Sequence, residues 1–553
     1  MKKPQHIFLT ILLLIFSALM GQNTVGMLVN QPGAQLGYTL FSPKKSTATF
    51  LIDNQGQLIN QWSSSRLPSL TAYLLEDGSL LRASALVSDT SEGNGGFEKF
   101  TWDGELVWEF YSGHQHHDIA PLPNGNVLMV VNDIIPVEVA LANGRDPERV
   151  DGSSVRSLSI LEIQQTDTYS GEIVWTWHAR DHLVQDYDIN KPNYGAVSAH
   201  PELIDFNYYS RDGRSDWLHT NSIAYHPEFD QIVVSNRTTC DLWIIDHSTT
   251  SQEAASHTGG IRNKGGDLLY RWGNPQSYQV GTSDDQTFFA QHDAYWIAPG
   301  LPGAGHLMIF NNGLDRPDGN FPSVDEFIPP VDSLGNYSYT TGAPFAPQAS
   351  IWSYFSNHDS SQFIAPNFGG SQRLQNGNTL ICSPHNGRFF EVTHAGEIVW
   401  VYVNPVTASG ILEQGSEPIQ NEVIRCYRYT ADYPGLLDKD LTPGAPLEIY
   451  SSAIPEDVQR LSGFYLGENY PNPFNPQTTF EYSLAEASAV QLRIYDMLGR
   501  NVATLVDQYQ TAGIYLIHWD SRESSGRPAA SGVYYCKLSA GKNSAIQKMI
   551  LMR

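Results

Sequence analysis

Three side chains that together suit an oxyanion lie within one stretch, HTNSIAYHPEFDQIVVSNR, from His219 to Arg237. His219 and Asn221 are two positions apart, so on a strand they project from one face. Ile223 to Tyr225 form an apolar run, Pro227 to Asp230 a polar turn, and Ile232 to Val234 a β-branched run that a hairpin would pair with the first. Arg237 then comes back beside the start of the first strand. An imidazole, a carboxamide and a guanidinium converging there would hold an oxyanion by neutral and charge-assisted hydrogen bonds. The competing reading is structural: a histidine near a strand end is often a satisfied packing residue, and Arg237 could pair with an acid such as Asp241.

The chain that must position these groups has 553 residues, with 46 Gly, 32 Pro and 11% aromatics. Long helical patterns are scarce, so an all-β protein of more than one unit is expected. A net charge of −25 with only 33 Lys and Arg argues against nucleic acid or an anionic membrane surface as the main partner. An anionic substrate must therefore be held by local Arg and His against the global field. Residues 1–21 read as a secretory signal, with Lys2 and Lys3, an apolar span from Ile7 to Phe16, and small residues before Gln22. That span is too short to cross a membrane as a helix and no later segment is longer and apolar, so an exported protein with no transmembrane segment is expected. Cys240, Cys382, Cys426 and Cys536 form no CxxC motif and suggest no zinc site; one disulfide, Cys382 with Cys426, is the favoured pairing.

A phrase recurs along residues 22–437: a turn and strand of the form L-x-D/N-G-x-L-L, then a strand closing on G-E-I-V-W or a variant. Its copies end near Trp62, Trp108, Trp177, Trp272, the segment ASIWSYF and Trp400. Short strands repeated every 40 to 60 residues indicate a β-propeller, whose blades bury their faces against one another. Five full copies and the opening Thr49–Trp62 segment make six blades, with seven still open, and the late strand near Glu422–Tyr429 is expected to close the ring with the opening one. Two inserts, Ala179 to Trp217 and Asn312 to Ala349, break the period and flank the candidate site as lids or packing arms.

A Pro-containing linker is placed at 438–465, and 466–553 read as a small Ig-like β-sandwich without an active-site constellation. Its phrases YPNPFNP, YDMLGR, SGVYY and KMILMR resemble those of the C-terminal sorting domains of the type IX secretion system. That resemblance implies passage through the type IX machinery across an outer membrane to the medium or the cell surface.

Histidines fall at one point of several repeats, just before an inner strand: HQHHD at 114–118, HTN at 219–221 and QHDA at 291–294. Inner strands line the channel of a propeller, so these side chains would meet in one cavity. Here the chain resembles the bacterial aryl-sulfate sulfotransferases, over roughly residues 70–430. The specific match is His219-x-Asn221 with Arg237 sixteen residues on, together with His117 in HHD and His292 in QHDA. The resemblance implies that His292 is the nucleophile that carries a sulfuryl group, while His117, His219, Asn221 and Arg237 hold its oxygens. His116 is the alternative to His117, because neighbours on a strand face opposite ways.

A neutral imidazole is a competent nucleophile, and nearby cations would keep His292 unprotonated by lowering its pKa. The implied partners are an aryl sulfate donor and a phenolic acceptor; no cofactor is required and no phosphate-binding GxxxxGK[ST] loop is present. Oligomeric state stays open, a homodimer included. His385 and Arg388 are candidates for the channel or for a turn, and the HQHHD cluster for a transition metal, although no further ligand pair completes it. Asp315 to Asp325 reads as a solvated loop. The alternatives to a transferase are an aryl sulfate ester hydrolase and a secreted, non-catalytic propeller that binds glycan or protein.

Overall fold

In a computed structural model, residues 23–85, 95–208, 216–355, 363, 365–450, 464–467, 469–484, 487–511 and 513–552 are described. The signal sequence expected at 1–21 lies outside them. The chain divides into two compact units, 1–449 and 450–553. Among the described residues no helix is long and apolar enough to cross a membrane.

The first unit is a six-bladed β-propeller. Four blades are built in chain order, each from four antiparallel strands: Pro68–Leu74 to Leu106–Tyr111, Gln115–Pro121 to Ser170–His178, Thr220–His226 to Tyr270–Trp272, and His292–Trp296 to Trp352–Phe355. The fifth runs from Gly370–Arg373 to Ile398–Val403 and takes Gly26–Asn30 as an extra edge strand. The sixth is composite: Val423–Tyr429 is its inner strand, and Tyr38–Pro43, Ala48–Ile52 and Leu58–Ser63 complete it. The expected closure of the ring by the two ends is thus made, with Leu40 opposite Tyr427 and Phe41 opposite Cys426. Each inner strand lies against the next around the ring.

The recurring tryptophan has a structural cause. Once per blade, an indole on the outer strand donates its N–H to a carbonyl at or just before the outer strand of the following blade. The pairs are Trp62 to Thr101 (2.9 Å), Trp108 to Ser170 (3.1 Å), Trp177 to Gly266 (2.7 Å), Trp272 to Pro347 (2.6 Å), Trp352 to His394 (2.9 Å) and Trp400 to Asn54 (2.9 Å). Five of the six indoles are buried, so each combines apolar burial with a hydrogen bond worth about 1 kcal/mol net. The turns expected from Asn-Gly pairs are present as well: Gly125 and Gly377 take φ of 88° and 89°, where a side chain is disfavoured.

The second insert departs from expectation. Ser323–Phe327, within 312–349, is the third strand of the fourth blade. Its buried polar side chains hide it from an apolar-alternation reading: Asp325 accepts from Asn311 and Ser323, while Glu326 pairs with His306 at 2.7 Å and with Arg373. The expected Cys382–Cys426 disulfide is also not made. All four cysteines are free thiols, and Cys382 Sγ donates to Val423 O at 3.2 Å.

Charged groups tie the inner strands across the channel. Arg425, buried on the closing strand, reaches Asp118 of the second blade at 2.8 Å and Asp293 of the fourth at 3.2 Å. Asp118 also accepts from Ile223 N (3.1 Å) and Asp293 from Ser371 N (2.8 Å), so one ionic cluster touches five blades. Burial opposes the charge of Arg425, but the two carboxylates more than offset it and raise its pKa well above the usual value. Gly370 leaves the room: a Cβ there would stand 2.7 Å from Asp293 Oδ2 and 2.9 Å from Arg425 Cγ.

In the second unit, a three-stranded sheet (Tyr465–Leu466, Thr478–Leu484, Gly513–Trp519) and a four-stranded one (Asn501–Gln510, Ser488–Asp496, Gly532–Ala540, Asn543–Leu551) share one core. Phe480, Leu492, Ile494, Trp519, Cys536 and Met549 fill it, as in an Ig-like sandwich.

Two outcomes follow. Removing the cation in Arg425→Met should strand two buried carboxylates and lower stability by about 3–5 kcal/mol in denaturant titrations; a loss under about 1 kcal/mol would show that the cluster is not structural. The second concerns His247, which bridges Asp230 (2.7 Å) and Glu162 (3.1 Å) between the third and second blades. Burial opposes its charge, but the two carboxylate hydrogen bonds prevail and push its pKa up to about 9 from 6.5. A raised pKa gives stability that is fully present below 6.5 and is lost as pH rises through about 9, on the order of 3 kcal/mol. Melting curves across that window should show the decline in the wild type and a flatter profile in His247→Gln.

Candidate functional site

The histidine motifs sit on β-bulges of inner strands. In the second blade, His116, His117 and Asp118 together face Val130, because the register moves from Ile119↔Met129 to Gln115↔Val131. In the third, Asn221 is the extra residue between Thr220↔Asn236 and Ser222↔Ser235. In the fourth, Asp293 and Ala294 lie between His292↔Phe310 and Tyr295↔Met308. His117 and Asp293 reach these positions with φ of 58° and 53°. A bulge breaks the alternation of strand faces and re-aims consecutive side chains, here toward the channel.

His116 and His117 therefore do not face opposite ways. Their Nδ1 atoms lie 2.7 Å apart, and His117 Nε2 lies 3.1 Å from His219 Nε2. His219 Nδ1 donates to Asp216 Oδ2 at 2.6 Å. These contacts make a chain, Asp216–His219–His117–His116, in which each imidazole pair shares one proton. Burial, then the neighbouring rings, hold His117 well below its usual pKa, and burial pushes His116 down to about 3. His219 and Asp216 remain partly open to solvent.

The surroundings of His292 set its tautomer. Asn312 donates from Nδ2 to Ala365 O (2.8 Å) and Phe368 O (2.7 Å), which turns its Oδ1 toward His292 Nδ1 at 2.6 Å. The carbonyl oxygen can only accept, so Nδ1 carries the proton and the lone pair resides on Nε2, which accepts from Phe368 N–H at 3.3 Å. Burial lowers the pKa of His292 well below the usual value, and the charges of Arg237, His219 and Arg425 act in the same direction against the Asn312 hydrogen bond. The ring is thus neutral with a directed lone pair.

Asn221 is tied to the residue before the same strand: its Nδ2 donates to Gln291 O at 2.7 Å, which leaves a second N–H, while Oδ1 is buried without a partner among the described residues. Arg237 follows the returning strand of the hairpin, its backbone N–H on His219 O at 2.9 Å. Asp241, the acid considered as its partner, is instead held by Arg271 at 2.6 Å. The expected residues His117, His219, Asn221 and His292, with His116, come together at the ring's centre, and Arg237 acts electrostatically on His292. His385 lies in the turn before Arg388 and packs on Phe368 with ring centroids 6.4 Å apart. Asp315 lies in a turn-rich segment, and Asp325 belongs to a strand.

Sequence reasoning missed Asn312, Asp216, Arg425, Asp118 and Asp293. The signals were faint: an aspartate directly after a histidine in two repeats, an arginine at the third position of the closing strand, and an asparagine pair ending a strand.

Residues 27–340 match the family model described as arylsulfotransferase (ASST), and residues 475–544 match that of the FlgD Ig-like domain. No curated protein matches the chain. Similar solved structures include a protein of unknown function from Bacteroides caccae, with 11% identity and a TM-score of 0.36 over 67% of this chain and 95% of that one. A putative 6-phosphogluconolactonase from Bacteroides fragilis shows 12% identity and a TM-score of 0.35 over 71% and 98% of the two chains. Streptogramin B lyase shows 11% identity and a TM-score of 0.32 over 74% and 95%. With the family model spanning more than half of its length and the six-bladed fold carrying the histidine site, the chain belongs to the arylsulfotransferase family.

Proposed function

We propose that this protein transfers a sulfuryl group from an aryl sulfate to a phenol through a sulfohistidine at His292. The observation that supports this most is the Asn312–His292 pair, which leaves a neutral ring with its Nε2 lone pair directed by an amide that is itself held by two carbonyls. Nε2 gives up its hydrogen bond from Phe368 N–H and attacks sulfur, the bond from sulfur to the aryl oxygen breaks, and the leaving aryl oxide takes a proton from His219, which acts as an imidazolium beside the Asp216 carboxylate. In the second half, the acceptor oxygen attacks sulfur, the N–S pair returns to Nε2, and the phenolic proton returns to His219. Arg237 and the second N–H of Asn221 bind the sulfuryl oxygens, with His117 and His219 beside them. This local cation matters in a chain of net charge −25, since the global field disfavours an anionic ester.

We read the protein as exported, taking residues 1–21 as a secretory signal, and the C-terminal sandwich as a sorting module, from its YPNPFNP and KMILMR phrases.

A chromogenic aryl sulfate should release its phenol much faster when an acceptor phenol is present, and double-reciprocal plots should be parallel. Equal release without acceptor would identify a hydrolase, and no release from any of a panel of aryl sulfates would identify a binding module.

Variants test the roles separately. His292→Ala should abolish turnover, and Asn221→Ala should lower it by about 10²–10³. Asn312→Ala, which frees the tautomer, should lower kcat with little change in donor KM. Arg237→Lys should restore part of the donor binding lost in Arg237→Ala but little of kcat, because the planar fork is lost. Near-normal turnover of His292→Ala would move the nucleophile to His219 or His117.

A further inference from the structure

A second cluster of ligating groups lies outside the channel, where the first insert meets the connection that leads to the outer strand of the third blade. His182 and His257 both direct Nδ1 at one atom, Asp267 Oδ1, at 2.9 and 2.7 Å. His182 is fully buried and stacked on Trp177 with centroids 5.5 Å apart, Asp267 is buried, and His257 is exposed.

The other nitrogen of His182 decides how this contact reads. His182 Nε2 lies 2.8 Å from Ala254 O, which can only accept, so Nε2 carries the proton. In the neutral ring the Nδ1 lone pair then points at a carboxylate oxygen, a repulsion that a shared cation relieves, as would a second ring proton. A backbone carbonyl on the outer nitrogen is the usual support of a metal-bound imidazole. A third ligand already converges on the same point, and its exposed side leaves room for water.

We infer that His182, His257 and Asp267 bind a divalent transition ion of the Zn²⁺ class. Two imidazoles and a carboxylate are the donors that such ions take, with an open fourth position. Tetrahedral ligation at about 2.1 Å separates ligand atoms by roughly 3.4 Å, so the His257–Asp267 contact opens by about 0.7 Å, which the exposed His257 can supply, and the His182–Asp267 contact by about 0.5 Å, which a small turn of the Asp267 carboxylate would give. The ion would clip residue 182 of the first insert to the 257–267 connection, independently of the chemistry at His292.

The test uses the full chain, stripped with chelator and dialysed against Zn²⁺. One equivalent should bind and raise the melting temperature. His257→Ala, at an exposed position, and Asp267→Asn should each weaken binding by at least about tenfold and remove the thermal shift, whereas His117→Ala should retain both. No stoichiometric Zn²⁺, an ion retained by both ligand variants, or an ion lost in His117→Ala but kept in His257→Ala would overturn the assignment.

Discussion

A buried guanidinium between two buried carboxylates is the constraint on which the centre of this propeller depends. Arg425 belongs to the strand that closes the ring, and its partners Asp118 and Asp293 belong to blades on other sides of the channel. Taking three charges out of water is costly, and only their mutual attraction with added backbone N–H donors offsets that cost. The reward is positional: each carboxylate directly follows a site histidine, so the ion cluster and the histidines are set by the same bulges.

The cluster also governs the electrostatics of the site. Asp118 and Asp293, left alone, would draw protons onto His117 and His292. Arg425 neutralises them and, with burial and Arg237, acts to keep the His292 ring neutral. The buried ion cluster and the Asn312 amide therefore serve one end, a neutral histidine whose Nε2 lone pair is directed, here at the Phe368 N–H. Opposite it, Asp216 holds one end of a chain of three hydrogen-bonded imidazoles.

Around this centre, each blade is joined to the next by an indole-to-carbonyl hydrogen bond and an apolar face. The repeat in the sequence is the trace of that requirement, since every outer strand must bring its tryptophan to a carbonyl of its neighbour. Trp352 serves the fourth blade within a poorly matching repeat, which shows that the latch persists where the surrounding phrase has drifted.

Composition and the scarcity of helical patterns pointed to the all-β class, and periodicity to a propeller of six blades, with seven left open, closed by its two ends, because a strand repeat can bury its faces only against copies of itself. Residue type and spacing likewise marked His219, Asn221 and Arg237 on their hairpin and the HQHHD and QHDA segments at the same repeat position, within which the family resemblance singled out His117 and His292. What only the tertiary structure decided is how those groups are oriented. Bulges at Asp118, Asn221 and Asp293 break the alternation on which His116 and His117 were set against each other, and a bulge leaves no mark in hydrophobic pattern. Asn312, Asp216 and Arg425 lie 20, 3 and 133 positions from the histidines they serve. Chain separation carries no record of contact, so partners that fix a tautomer or silence a carboxylate are found only when the ring is closed.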